Sequence, residues 1–502
     1  MFKTASVFSD NMVLQREKNV RVFGTGDNGT ITVSINGNTA KGEIRDGKWM
    51  VVLPAMKACD NLEMTVSDGE TTKTFYNVSI GEVWLAGGQS NMELELQNAK
   101  DGEMYLDELN SSMPVRFYYT NKAKTVEMAE EMEKHAGWGV CDKNGSRAWS
   151  AVGYHFAVKL AKELGVTVGI IGCNWGGTSA SAWVSKETLA RDTELNSYLL
   201  EYAEKTAGKT DEELIAEYKD YEKREAEFEE KKNKCYAENP NISWDEVQAI
   251  CGVCEWPGPM APNNPFRPTG LYETMISRVC PYTMKGFLYY QGESDDHKPK
   301  MYYKLLSSLI ENWRNDWMDD EMFFEIVQLP MFTYKDAPDY KHWCKIREAQ
   351  MKAYKTVKNT GIAVISDCGE FDNIHPVDKK PVGERLALQA LDNAYGKDVE
   401  AFGPVYKNVY FDGNKAVLTF DHAQQGFEVR GELIGFEMAG EDKNFVSAKA
   451  EIAGEKIVVT SEIEKPLYVR YDFCNWIVPS LFGKSTGIPL APFRTSTDDE
   501  WV

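Results

Sequence analysis

Between about residues 80 and 396, short apolar runs alternate with amphipathic helical stretches, and this alternation restricts the possible folds more than any other feature. Strand patterns fall at Val83 to Ala86, Val166 to Ile171, Gly286 to Tyr290, Phe323 to Leu329 and Ile362 to Ser366. Helical patterns lie around 300–317, 343–357 and 381–395. The clearest unit starts at Ser150, a suitable N-cap, and sets Val152, Phe156, Leu160 and Leu164 on one face. It stops at Gly165 and runs into the strand Val166 to Ile171. Strand followed by helix, repeated, implies a mostly parallel sheet with helices on both faces.

The flanks read differently. Residues 1–78 are punctuated by Gly, Asn and Asp, with alternating runs such as Thr30 to Asn36 and Trp49 to Leu53, which predicts an antiparallel β-rich N-terminal module. Residues 399–502 return to short strands, as in Val405 to Phe411, Ala416 to Phe420 and Ile457 to Ser461, and form a β-rich C-terminal region. The central region, 79–398, is interrupted near 196–250 by a charged helical insertion. There Thr210-Asp211-Glu212-Glu213 and Ser243-Trp244-Asp245-Glu246 both have the form of capping boxes. A solvated insertion is the plain reading, with a lid or a dimer contact as the alternatives.

Charge narrows the partners. With 77 acidic and 56 basic residues the net charge is −21, which opposes the counterion release that drives binding to nucleic acid and to anionic lipid. Neither nucleic acid nor membrane is expected as a partner. No apolar run has the length of a membrane span and Met1 to Asp10 lack the apolar core of a signal peptide, so the sequence as written predicts a cytoplasmic protein, or an extracytoplasmic one if a signal was removed. The ten cysteines are scattered, as in a large enzyme of a reducing compartment, and no disulfide framework is expected.

Open parallel sheets bind ligands beyond the carboxyl ends of their strands, so the residues following each strand are the ones to read. Val83 to Ala86 is followed by Gly87-Gly88-Gln89-Ser90-Asn91-Met92, and Val166 to Ile171 by Asn174-Trp175-Gly176-Gly177-Thr178-Ser179. Gly286 to Tyr290 is followed by Gln291-Gly292-Glu293-Ser294, and Ile362 to Ser366 by Asp372-Asn373-Ile374-His375-Pro376. A hydroxyl, a glycine pair, an amide, and a carboxylate with an imidazole are the parts of an acyl-transfer site. Serine is a weak nucleophile until an imidazole takes its proton, and the imidazole needs a carboxylate to hold its tautomer and balance its charge. An Asp three residues before a His can swing back onto the ring. The Ser90 N–H, a Gly N–H and the Gln291 amide are candidate oxyanion donors.

These segments resemble the sialate O-acetylesterase family, a carbohydrate-esterase branch of the SGNH (GDSL-like) hydrolases. The resemblance rests on Gly81 to Glu93, Trp175 to Thr178, Tyr289 to Ser294 and Asp372 to Pro376, with Asp10 to Arg16 and Gly487 to Thr495 similar to its flanking β regions. It implies an SGNH three-layer α/β/α domain with a mostly parallel sheet. It also implies a cofactor-free and metal-free serine esterase whose partner is an O-acetylated carbohydrate, most simply O-acetylated sialic acid, with acetylxylan or another plant glycan as the alternative. By position, Ser90 matches the nucleophile, His375 the base and Asp372 its orienting acid. Ser90, Gly177 and Gln291 match the oxyanion hole, with Gly176 the alternative to Gly177. Glu293, organising Ser90's surroundings by hydrogen bonding, and Trp183, walling the pocket, are the substrate-binding candidates. The charged insertion and the Asn174-Trp175 pair before the glycines depart from the family pattern.

Rival motifs fail on context. Gly483-Lys484-Ser485-Thr486-Gly487 fits a nucleophile elbow, yet no His follows Ser485. Gly24-Thr25-Gly26-Asp27-Asn28-Gly29 fits a dinucleotide fingerprint, yet a β-rich run follows where a helix is required. Cys251-Gly252-Val253-Cys254 has no second close pair for zinc, and with six histidines there is no His-Glu-x-x-His. Asp339-Tyr340-Lys341-His342 repeats the Asp-x-x-His spacing, but its His opens a helical run. A non-catalytic carbohydrate-binding scaffold is the competing reading from another class, and a lipase or thioesterase a third.

Overall fold

One strand of seventeen residues, β1 (Thr72–Gly88), runs from the N-terminal β region into the central sheet. Its first residues alternate between exposed and buried, and from Val78 to Gly88 every residue is buried. That change of pattern marks the passage from a sheet wetted on one side to one covered on both. The computed structural model describes residues 2–239, 242 and 244–496. The chain forms two compact units, one of Met1–Thr120, Lys134–Ala180 and Val279–Val502, the other of Asn121–Glu133 and Ser181–Arg278.

In the first unit, β1 is followed by β2 (Val115–Tyr119), β3 (Trp138–Val140), β4 (Val168–Asn174), β5 (Gly286–Tyr290), β6 (Phe323–Val327) and β7 (Thr360–Ala363). Their spatial order is β3-β2-β4-β1-β5-β6-β7. The pairings along β2-β4-β1-β5-β6-β7 are all parallel. The eleven-stranded sheet as a whole, with the strands of the N-terminal module, is mixed. The short β3 is antiparallel to β2, and the N-terminal half of β1 takes the antiparallel strand Cys59–Ser67 as well as the parallel Val13–Gln15. The cause is the length of β1, which offers pairing edges to two modules.

Gly88, the last residue of β1, pairs with Asn174 on one side and Tyr290 on the other. Three strands therefore end at one level, and the loops that follow them meet there. Helices flank these strands: α1 (Ser90–Glu93), α2 (Ala151–Leu164), then α4 (Pro299–Asp316), α5 (His342–Thr356) and α6 (Lys380–Asn393), with α3 (Asp211–Glu238) in the second unit. The Ser150 hydroxyl accepts the Gly153 N–H at 3.1 Å and Gly165 closes α2 with φ +66°, as the capping pattern predicts.

The β-rich C-terminal region contains two four-stranded sheets and a core that includes Leu418, Phe436, Tyr471 and Leu490. The fully buried Arg347 of α5 fastens it to the central sheet by donating to the carbonyls of Pro330 and Cys474. In the second unit, Thr210 and Glu213 form the reciprocal capping box that opens α3. This helix packs Leu214, Tyr218 and Tyr221 with Ala261, and its remaining faces are charged. The other expected box begins at Ser243, outside the described residues.

Candidate active site

The end of β1 aims Ser90. Gly88 has φ +134°, and a Cβ there would stand 2.1 Å from the Tyr290 carbonyl oxygen, so only glycine lets the chain turn so close to β5. Gln89 stays extended and α1 begins at Ser90. The Ser90 Oγ lies 2.8 Å from His375 Nε2, across 285 residues of sequence. His375 comes from the loop between β7 and α6, where its N–H donates to Asn373 Oδ1 at 3.0 Å. Removal of water from around the ring lowers the imidazole pKa below its usual value. The nearby Lys379 charge lowers it further, and Glu93 opposes both. A neutral ring at neutral pH is the form that accepts a serine proton.

Asn91 is completely buried and joins three elements. Its Nδ2 donates to Glu293 Oε1 at 2.6 Å and to the Ile374 carbonyl at 2.9 Å, while its Oδ1 accepts from Lys379 Nζ at 2.6 Å. Burial raises the Glu293 carboxyl to about 6 and lowers the Lys379 ammonium to about 7. Asn91 thus separates an acid and a base that are both held near neutrality directly behind Ser90.

The glycine turn after β4 lies against the nucleophile. A Cβ on Gly176 would stand 3.1 Å from Ser90 Cβ, and the Gly176 N–H donates to Glu93 Oε2 at 2.7 Å. That commitment leaves Gly177, with φ +72°, as the glycine of the pair whose N–H is not spent on Glu93. The Gln291 side chain does not serve as an oxyanion donor in this arrangement. It is 1% exposed, and the two hydrogens on its Nε2 are shared among three acceptors, Asp295 Oδ2 at 2.6 Å, the Thr178 carbonyl at 3.0 Å and Gln89 Oε1 at 3.2 Å. Burial between strand end and helix explains this: an amide there must satisfy its own donors, and Tyr302 satisfies its acceptor. Asp295 also takes the Ser179 hydroxyl at 2.6 Å and the Ala180 N–H at 2.8 Å, locking the glycine turn to the loop after β5.

A family model described as carbohydrate esterase, sialic acid-specific acetylesterase, matches residues 80–214 and 257–392, more than half of the chain. The chain belongs to this family. The sialate O-acetylesterase of Mus musculus is 26% identical over 460 residues, covering 84% of this chain and 79% of that protein. That of Homo sapiens is 25% identical over 465 residues, covering 84% and 77%. The structure of a carbohydrate acetylesterase from Xanthomonas citri superposes with a TM-score of 0.77 at 28% identity, over 99% of this chain and 100% of its own. The two matched blocks of this carbohydrate esterase contain Ser90, Gly177, Gln291, Glu293, Asp372 and His375. The gap between the blocks falls largely on α3.

Two expected placements in this esterase are different in the structure. Asp372 does not reach the His375 ring: its Oδ1 accepts the Lys335 N–H at 2.9 Å, at a residue with φ +59° that turns the carboxylate toward the 333–335 loop. Trp183 belongs to the second unit and is 0% exposed, so it is a core residue presenting no surface to a ligand. The rival His342 opens α5 with its ring against Tyr340. Among the described residues no group of three or more His, Cys, Asp or Glu side chains has metal-holding geometry, and no helix is long and apolar enough to cross a membrane.

Asn91, Lys379 and Asp295 were not singled out from the sequence. Asn91 stands inside a motif block already noticed, beside Ser90, and Asp295 directly follows the block that ends at Ser294. Lys379 lies in a helix-initiating Lys-Lys-Pro run that looks solvated, and nothing local signals its burial.

Proposed function

We propose that this protein is a serine esterase that removes O-acetyl groups from carbohydrates, with O-acetylated sialic acid as the substrate, through an acyl-enzyme intermediate. The observation that carries the reading is the 2.8 Å contact between Ser90 Oγ and His375 Nε2 at the carboxyl ends of parallel strands, in a chain of the sialic acid-specific acetylesterase family. His375 takes the Ser90 proton as the oxygen attacks the acetyl carbonyl, and the proton then goes to the departing sugar hydroxyl. Water, deprotonated by the same ring, releases acetate from Ser90. The oxyanion forms beside the Gly177 N–H and the Ser90 N–H, the latter at the start of α1 where N–H groups have no intrahelical acceptor. Asp372, in the loop of His375, turns onto the ring as the imidazolium develops, since the positive charge attracts it and catalytic hydrogen bonds of resting sites tighten on binding. The parallel run β2 to β7 with flanking helices supports an SGNH-type three-layer core inside the mixed sheet.

A second reading, an acetylated neutral glycan as the substrate, is compatible with the full-length similarity to a protein of Xanthomonas citri described as a carbohydrate acetylesterase. Acetate release from O-acetylated sialic acid and from acetylated xylo-oligosaccharides, measured side by side with wild type and Ser90→Ala, separates the two. Ser90-dependent release from sialate supports the first reading, and release from the xylo-oligosaccharides alone replaces it with the second. Release that survives Ser90→Ala removes the nucleophile assignment from both.

A further inference from the structure

Three loops of the first unit are stitched together next to His375. The Phe332 N–H donates to the Asn475 carbonyl at 2.9 Å, the Asp372 N–H to the Thr333 carbonyl at 3.1 Å, and the Lys335 N–H to Asp372 Oδ1 at 2.9 Å. Their aromatic side chains pack in two groups, one around a buried ring and one nearer the surface. In the first, Phe332 is buried against Trp343, with ring centroids 4.8 Å apart. In the second, Tyr334 sits edge-on to Phe332 at 4.8 Å, and Phe371 packs edge-on to Trp476 at 5.5 Å. Tyr334 is 58% exposed and Phe371 52%.

Scattered exposed apolar residues need no explanation, but rings gathered on one rigid foundation mark a ligand-binding surface. We propose that Tyr334, Phe371 and Trp476 form a stacking platform for neutral pyranose units of a glycan whose acetylated unit is held at Ser90. The proposal rests on the carbohydrate-esterase reading of Ser90 and His375. A pyranose presents faces of C–H groups, which settle on the electron-rich faces of aromatic rings while its hydroxyls stay in water. Phe371 precedes His375 by four residues, so their Cα atoms are at most about 14 Å apart, a span that a few linked sugars bridge. The platform is therefore continuous with the catalytic pair through the loop that carries both.

Charge selects the guest. Asp296 and Asp372 act on Tyr334, and Asp336, Asp339 and Glu370 lie in or beside the same loops. Against them stand Lys335 and Lys341, and Lys341 is paired with Asp339 at 3.4 Å. The excess of carboxylates repels an anionic sugar and leaves a neutral one unaffected. In the resting state Asp372 Oδ1 also ties the Tyr334 loop to the Phe371 loop.

The test is calorimetric titration of the full chain with unacetylated xylotetraose, cellotetraose and mannotetraose, and separately with sialic acid. These ligands need no turnover, so the result is independent of the esterase reading, which Ser90→Ala tests by acetate release. Saturable binding of at least one neutral tetrasaccharide is expected, weakened about tenfold in Tyr334→Ala and in Phe371→Ala. Both rings are exposed, so truncating them leaves the core intact. In turnover, the gain in kcat/KM from acetylated monosaccharide to acetylated tetrasaccharide should shrink in both variants, through KM. Binding of none of the three tetrasaccharides, equal binding by wild type and both variants, or sialic acid binding that weakens in Tyr334→Ala and Phe371→Ala as much as the binding of the neutral chains overturns the proposal.

Discussion

The Asn91 side chain donates to the Ile374 carbonyl at 2.9 Å, so the residue after the nucleophile holds the residue before the base. The Ser90 to His375 distance is set by this bond as much as by the strands. Replacing Asn91 with Ala removes it, together with the bridge between Glu293 and Lys379, and leaves two buried ionisable groups facing a gap. Small misplacement of reacting groups lowers rate by as much as about 10²-fold. Asn91→Ala is therefore expected to reduce kcat by about ten- to a hundredfold with KM changed little. Unchanged kcat would show that the two loops hold their register without it.

Asp372 and Glu93 make opposite predictions about His375. Asp372 shares the loop of the ring but is bound to Lys335, whereas Glu93 is held by Gly176 and its charge already raises the His375 pKa. If Asp372 turns onto the imidazolium, Asp372→Asn lowers kcat by about 10²-fold or more, as loss of an orienting carboxylate does in serine hydrolases. Glu93→Gln then has the smaller effect on kcat. The reverse ranking in steady-state kinetics would make Glu93 the orienting acid and leave Asp372 a loop tie.

The pH profile reports on the same ring. Loss of surrounding water depresses the His375 pKa first and the Lys379 charge adds to it, so the catalytically active neutral form persists to lower pH than for a free imidazole. The acid limb of kcat/KM is expected below about 6.5. Lys379→Met removes a cation that disfavours the imidazolium, so the limb moves to higher pH. A limb that stays in place would mean that the Lys379 charge does not reach the ring.

Much of this site was legible before the structure. Strands such as Gly286 to Tyr290 are continuous apolar runs, and the polar residues after them stand out, which is how Ser90 and His375 were picked from their motif blocks. The Asn91 to Lys379 bond spans 288 residues and leaves no periodic trace. Trp183 is expected to wall the pocket, but an indole of that size is as easily consumed by a core. Gln291 was read by position, and position says nothing about which acceptors surround an amide. β1 shows the same limit: its pattern changes from alternating to continuous within one strand, because burial changes along it, so a change of pattern need not mark a break in the chain's path.

Glu325 sets a pH limit on the fold rather than on the chemistry. It lies in β6, is 0% exposed, accepts from Asn393 Nδ2 at 3.3 Å through Oε2, and has no partner at Oε1, while Asn393 Oδ1 is also unpartnered. Desolvation raises its carboxyl to about 8, so the folded protein keeps it protonated where the unfolded chain has released the proton. A raised folded-state pKa gives stability that is fully present below the unfolded value and is lost as pH rises through about 8. Between the unfolded value and about 8 the group alone removes about 1.4 kcal/mol per pH unit, and above about 8 its contribution no longer changes. Glu325→Gln stays neutral and its amide can donate to Asn393 Oδ1. Thermal melts should therefore show the variant and wild type close together at pH 4, with the variant's Tm increasingly higher from pH 5 to pH 8. Parallel curves for the two from pH 4 to 8 would show that Glu325 is not the group that titrates.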